Sequence, residues 1–158
     1  MQNEECVVHA GDSCIVSGDM GYLRRLLDVY EGSGADAAFL VLEIENPMQY
    51  GIVEGEEVGG GVFRVRSVVE KPKVPKSNLA VMAMYVFKPV IFRALEETSV
   101  GVGGEVQLTD AIQKLVEWEL NVYAVKLDSS YAHLDVGSPE RYWEALELSH
   151  REFCRRKA

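Results

Sequence analysis

Apolar residues along the chain follow two spacings: short dense runs that suit buried strands, and stripes three and four residues apart that suit helices. Cys6 to Ala10 is a β-like run of the buried type stopped by Gly11-Asp12. Asp19 then caps a predicted helix over Met20 to Glu31, whose Leu23, Leu26, Leu27 and Tyr30 form one stripe, with Gly32 at its stop. Ala37 to Ile44 is apolar almost throughout, which suits a strand covered on both faces, and it ends before Asn46-Pro47.

From Tyr50 the pattern changes. Tyr50 to Glu54, an acidic Gly-rich turn through Gly61, and Val62 to Glu70, where Phe63 and Val65 alternate with Arg64 and Arg66, predict an antiparallel pair. Leu79 to Phe87 predicts another strand, and Pro89 opens a helix through Glu97. Thr109 or Asp110 caps a helix to about Glu119, Val122 to Leu127 is a strand, and Ser138-Pro139 opens a final helix carrying Tyr142, Trp143, Leu146 and Phe153. No repeat or linker interrupts this order. The expected architecture is α/β, a mixed sheet flanked by helices, in a single domain over residues 1–158.

Composition narrows the classes. With 47% hydrophobic and 26% charged residues the chain is globular rather than disordered, and no apolar run approaches the ~20 residues of a membrane span. A net charge of -9 argues against a nucleic-acid surface. The acidic start Met1-Gln2-Asn3-Glu4-Glu5 has no apolar segment behind it, so no secretory signal and a cytoplasmic location are expected. Cys6, Cys14 and Cys154 lack ligand-like spacing and read as free thiols. Arg155-Arg156-Lys157 reads as cations at a helix C-terminus.

The densest chemistry is Val69-Glu70-Lys71-Pro72, followed by Ser77-Asn78-Leu79-Ala80-Val81 and Tyr85. Strand alternation sends Glu70 and Lys71 to opposite faces unless the backbone turns there. Pro72 stops the strand and biases Lys71 toward an extended conformation, leaving an ammonium where a phosphate can sit and a carboxylate able to accept from sugar hydroxyls. A surface ion pair is the alternative. Asp12 follows a strand at the end where α/β sheets place ligands, and Asp135 follows Leu134 ahead of a Gly137 turn; both suit Mg²⁺, or each steadies its own turn. His9, within a strand, is expected to be packed or hydrogen-bonded, and His133, beside Asp135, is within reach of a phosphate.

These segments, with Gly103-Gly104-Glu105-Val106-Gln107-Leu108-Thr109-Asp110-Ala111-Ile112 and Leu134-Asp135-Val136-Gly137-Ser138-Pro139-Glu140, resemble the sugar-1-phosphate nucleotidyltransferases, in order and over nearly the whole chain from Val7. The resemblance implies a partial Rossmann-like nucleotide-diphospho-sugar transferase fold. It implies transfer of a nucleotidyl group from UTP or dTTP to a sugar-1-phosphate, glucose-1-phosphate being expected, with Mg²⁺ held by Asp12 and Asp135. Asp12, Lys71 and Asp135 become the catalytic set; Tyr50, Gly51, Glu70, Lys71, Ala83 and Tyr85 become the substrate-binding set. Gly51 is expected to bring main chain against the hexose, and Ala83 stands where the family has glycine. Glu105 and Thr109-Asp110 are expected to order a loop and cap a helix. The family's Gly-rich nucleotide loop has no counterpart here, because Gly59-Gly60-Gly61 falls in a hairpin and Gly101 to Gly104 opens no dinucleotide signature. The chain therefore reads as the C-terminal, sugar-phosphate and metal part of such an enzyme. It is expected to be inactive alone, to associate with itself or with a separate chain supplying the other half, and to bind neither nucleic acid nor membrane. The alternative is a non-catalytic relic, a sugar-phosphate-binding or assembly subunit.

Overall fold

The computed structural model describes residues 4–16, 19–128 and 131–155. Its main sheet has six strands: β1 (Cys6–His9), β3 (Ala37–Glu43), β4 (Gly51–Gly59), β5 (Val62–Glu70), β6 (Leu79–Phe87) and β7 (Val122–Lys126). They lie in the order β1-β6-β3-β7-β5-β4. Among the described strand pairs only β3 and β7 run parallel. The first residues of β4 also pair with β6, Ile52 opposite Ala80 and Val53 opposite Leu79, so the pairings β6–β3–β7–β5–β4–β6 close on themselves. A second, two-stranded antiparallel sheet joins β2 (Ser13–Val16) to β8 (Ala132–Asp135). Among the described residues four α-helices complete the fold: α1 (Gly21–Ser33), α2 (Val90–Glu96), α3 (Leu108–Glu117) and α4 (Pro139–Arg155). The expected α/β mixed sheet flanked by helices is what forms.

Alternation along β3 explains the two-sided core. Ala37, Phe39 and Val41 face a cluster with Ile91 and Ala94 of α2 and Ile112 and Leu115 of α3. Ala38 and Leu40 face the other way, onto Leu26 and Tyr30 of α1. A strand covered on both faces needs apolar residues at every position, hence the unbroken run in the sequence.

Several local expectations are corrected. Helix α1 runs past Gly32 and stops at Gly34, whose φ of 62° is the left-handed cap that glycine adopts without a Cβ penalty. The cap position at its start is Met20, although the Asp19 carboxylate still accepts from the Gly21 amide at 2.8 Å. Helix α3 begins one residue before Thr109, after Gln107, with no side-chain cap. Strand β1 is not a buried strand: Val7 is 53% and Val8 37% exposed, because among the described residues β1 pairs only with β6. His9 is exposed rather than packed. Residues Met1 to Asn3 of the acidic start and Arg156 and Lys157 of the basic tail lie outside the described residues.

Candidate functional site

The site is assembled where β4 begins and β5 ends. Gly51 and Glu70 are partners in the antiparallel register, which puts the first residue of one strand beside the last of the other. The Lys71 amide donates to the Tyr50 carbonyl at 3.1 Å, extending the pairing by one residue past the strand. That bond accompanies a turn: Lys71 has φ 43°, in the left-handed region, rather than the extended conformation expected ahead of Pro72. The turn also cancels strand alternation, so Glu70 and Lys71 line the same cavity. A left-handed non-glycine residue costs on the order of 1–2 kcal/mol and is typical of functional positions.

This cavity, about 290 Å³, is walled by Gln49, Tyr50, Gly51, Glu70, Lys71, Val81, Tyr85, Gln107, Leu108 and Thr109. Glu70 is its carboxylate, with a side chain only 11% exposed. One oxygen accepts from the Thr109 hydroxyl at 2.8 Å and the other lies 3.7 Å from the Lys71 ammonium, whose side chain is 48% exposed. Thr109, expected to cap a helix, is buried and holds Glu70 instead. Gln107 and Thr109 thus line the cavity, although the sequence pointed to a structural role for Thr109 and to none for Gln107; their place in a Gly-rich loop-to-helix motif was the available signal. Burial, and secondarily the Glu70 charge, push the Tyr85 phenol up to about 12, so it remains a neutral hydroxyl. It is wedged between Phe87, stacked at 5.5 Å, and Phe39 at 6.1 Å.

Packing gives Gly51 a reason to be glycine that stands beside the expected approach to a sugar. A Cβ there would lie 2.5 Å from the Thr109 methyl and 3.1 Å from a Glu70 oxygen, so the protein's own packing excludes a side chain. Ala83 is not among the residues lining the cavity. It sits where the β3–β6 register slips, Phe39 facing Tyr85 but Leu40 facing Met82, and its carbonyl accepts from Ala10 at 3.0 Å. Alternation along β6 continues through the irregularity, Val81, Tyr85 and Phe87 facing one core cluster and Met82, Met84 and Val86 the other.

The acidic pair converges from the second sheet. Ser13 is registered opposite Asp135, and the Asp12 carbonyl accepts from the Val136 amide at 2.9 Å. Asp12 and Asp135 therefore occupy adjoining backbone positions although 123 residues separate them in sequence. Asp12 is exposed; the Asp135 side chain lies outside the described residues. Among the described residues no group of three or more His, Cys, Asp or Glu forms that could hold a metal ion. Two neighbouring carboxylate-bearing positions fit Mg²⁺, which takes one or two carboxylates and completes its shell with water and phosphate oxygens. His133 hydrogen-bonds to the Ser13 hydroxyl at 2.7 Å, across the same ladder, and lines a further cavity with Tyr50, Arg141 and Glu144.

The mixed sheet with helices on its faces, a carboxylate–ammonium cleft at strand ends and a pair of aspartate positions on a side ladder place the chain in the α/β class. Residues 1–152 match the Nucleotidyl transferase family, and the chain belongs to it. It is 37% identical over 153 residues to a UTP–glucose-1-phosphate uridylyltransferase of Pseudomonas aeruginosa, covering 93% of this chain and 53% of that protein. The uridylyltransferase of Bacillus subtilis is 44% identical over 121 residues, 73% of this chain and 40% of its own. Among solved structures, a UDP-glucose pyrophosphorylase complexed with UDP-glucose superposes with a TM-score of 0.87 at 29% identity, over 95% of this chain and 57% of that one. The chain spans about half the length of the curated relatives it matches.

Proposed function

We propose that the chain carries the sugar-phosphate and metal part of a UTP–glucose-1-phosphate uridylyltransferase. The observation that carries this reading is the joining of Gly51, Glu70, Lys71 and Tyr85 in one cleft of a Nucleotidyl transferase family member. The relatives' names supply UTP and glucose-1-phosphate as the substrates.

In that reaction a phosphate oxygen of glucose-1-phosphate attacks the α-phosphorus of UTP. A new P–O bond forms as the bond to the bridging oxygen of the β-phosphate breaks, and pyrophosphate leaves. No covalent enzyme intermediate is needed; alignment and neutralisation of charge provide the acceleration. Glu70, steadied by Thr109, accepts from hexose hydroxyls, while Tyr85 offers a neutral phenol and Lys71 neutralises the phosphate. Asp12 and Asp135 would hold Mg²⁺, which supplies charge stabilisation on phosphate oxygens when bound.

Gly59 to Gly61 forms the tip of the β4–β5 hairpin and offers no cradle for the triphosphate. Transfer then requires a cradle contributed by further polypeptide, and these residues alone bind sugar phosphate without turning it over. The half-length match favours keeping a second reading, a sugar-phosphate-binding subunit.

Calorimetric titration with glucose-1-phosphate tests the proposal. Saturable binding is expected, and Lys71→Ala weakens it by on the order of tenfold, the worth of one charge-assisted contact in a half-dry cleft. A parent chain that binds no glucose-1-phosphate, or a Lys71→Ala variant that binds it equally well, would rule out the grip.

A further inference from the structure

Arg141 was not singled out by any motif, yet the fold delivers it to the cleft. It sits in the first turn of α4, where its amide donates to the Ser138 hydroxyl at 3.3 Å. Its guanidinium carbon lies 5.8 Å from the centroid of the Tyr50 ring, and its Nη2 donates to Gln49 Oε1 at 3.4 Å. An aromatic face and an amide oxygen, both from the turn just before β4, orient the fork across a cavity of about 530 Å³.

That cavity is lined by Met48, Gln49, Tyr50, Lys71, Gly137, Ser138 and Arg141. It adjoins the Glu70 cleft, since Gln49, Tyr50 and Lys71 line both. Charge is divided between the two compartments. The carboxylate of Glu70, suited to a polyol, belongs to one; Arg141 belongs to the other, and Lys71 stands at the boundary. A ligand with a neutral hydroxylated ring at one end and an anion at the other fits this arrangement in a single orientation.

We propose that Arg141 is a second phosphate-binding residue which, together with Lys71, fixes the anionic end of the sugar phosphate in the cavity beside the hexose cleft. The inference rests on the sugar-phosphate reading and adds to it a residue from a different element. The two cations have different tasks. The Lys71 ammonium is a point charge on a constrained backbone, whereas a guanidinium can offer two parallel N–H donors to two phosphate oxygens and so sets the rotation of the group. Because α4 follows directly on β8, closure of Arg141 on the phosphate also ties sugar binding to the ladder that carries Asp12 and Asp135.

Calorimetry of the parent chain, Arg141→Gln and Arg141→Lys with glucose-1-phosphate, repeated over a series of salt concentrations, separates the possibilities; circular dichroism establishes that each variant is folded. The expected result is an affinity loss of about tenfold in Arg141→Gln with a flatter salt dependence, partly recovered in Arg141→Lys. If Arg141→Gln binds as the parent does while Lys71→Ala is weakened, Arg141 is not in the site and the Lys71 grip stands. If both Arg141 variants weaken equally and the salt dependence is unchanged, Arg141 only props Tyr50 and the inference is wrong. A parent without affinity for glucose-1-phosphate removes both readings.

Discussion

Lys71 condenses the physical tension of the site: a lysine in the left-handed region, followed by a proline that disfavours most compact conformations, held by one hydrogen bond to Tyr50. The sequence displayed the Glu70-Lys71-Pro72 triplet, and with it the chemistry. It could not display the sign of φ, which depends on where the Tyr50 carbonyl sits once β4 and β5 have paired. Gly51 behaves similarly. Its identity is readable in the sequence, but its cause, the Thr109 methyl 2.5 Å from where a Cβ would lie, comes from a helix 58 residues away. Gly51→Ala is accordingly expected to cost roughly 1–3 kcal/mol in urea unfolding, as overpacking does. Thr109→Ser, which deletes that methyl and retains the hydroxyl that holds Glu70, is expected to recover most of the loss in the double variant. Additive losses would show that Gly51 and Thr109 are not in contact.

At the scale of elements, what was readable depended on whether the local pattern and the packing agreed. β3 and β6 were plain because complete burial writes an unbroken apolar run, and α3 because its Ala111, Ile112 and Leu115 repeat at helical spacing. The β2–β8 ladder was not readable as a pair: each strand is four residues long, and more than a hundred residues separate them. The end of α1 was misplaced by two residues because Gly32 and Gly34 are both plausible stops, and only the backbone angle distinguishes them. Gly32, inside the helix and facing open space, should accept alanine with a gain of about 0.5–1 kcal/mol. Gly34→Ala, at φ 62°, is expected to lose about 1 kcal/mol. Thermal or urea denaturation of the two single variants decides the matter, and the opposite order would place the helix stop at Gly32.

For the whole molecule, the mixed α/β sheet followed from the alternation of strand and helix patterns, while the closed circuit of pairings did not, because it depends on β4 bending to reach both β5 and β6. The apolar residues of α4 carry a different lesson. The expected final helix forms, and on it Trp143 is 69% and Phe153 57% exposed. Val7 and Val8, also exposed, lie on β1, an edge strand whose outer side has no partner among the described residues. Such edges invite pairing, and a net charge of -9 opposes open-ended growth, so discrete oligomers are expected when this chain is studied by itself. Sedimentation over a concentration series should show them, and a strictly monomeric species at high micromolar concentration would mean that the edge is covered.

The central claim is that the start of β4, the end of β5 and the start of α4 form one receptor for a sugar phosphate. Amide chemical-shift mapping by NMR tests it most directly, with glucose-1-phosphate titrated into the ¹⁵N-labelled chain. Saturable shifts are predicted at Tyr50, Gly51, Glu70, Lys71, Gln107 and Thr109 around the hexose, and at Gly137, Ser138 and Arg141 around the phosphate, with the β4–β5 hairpin tip at Gly59 to Gly61 unmoved. Shifts centred elsewhere, or none at saturating ligand, would contradict the account.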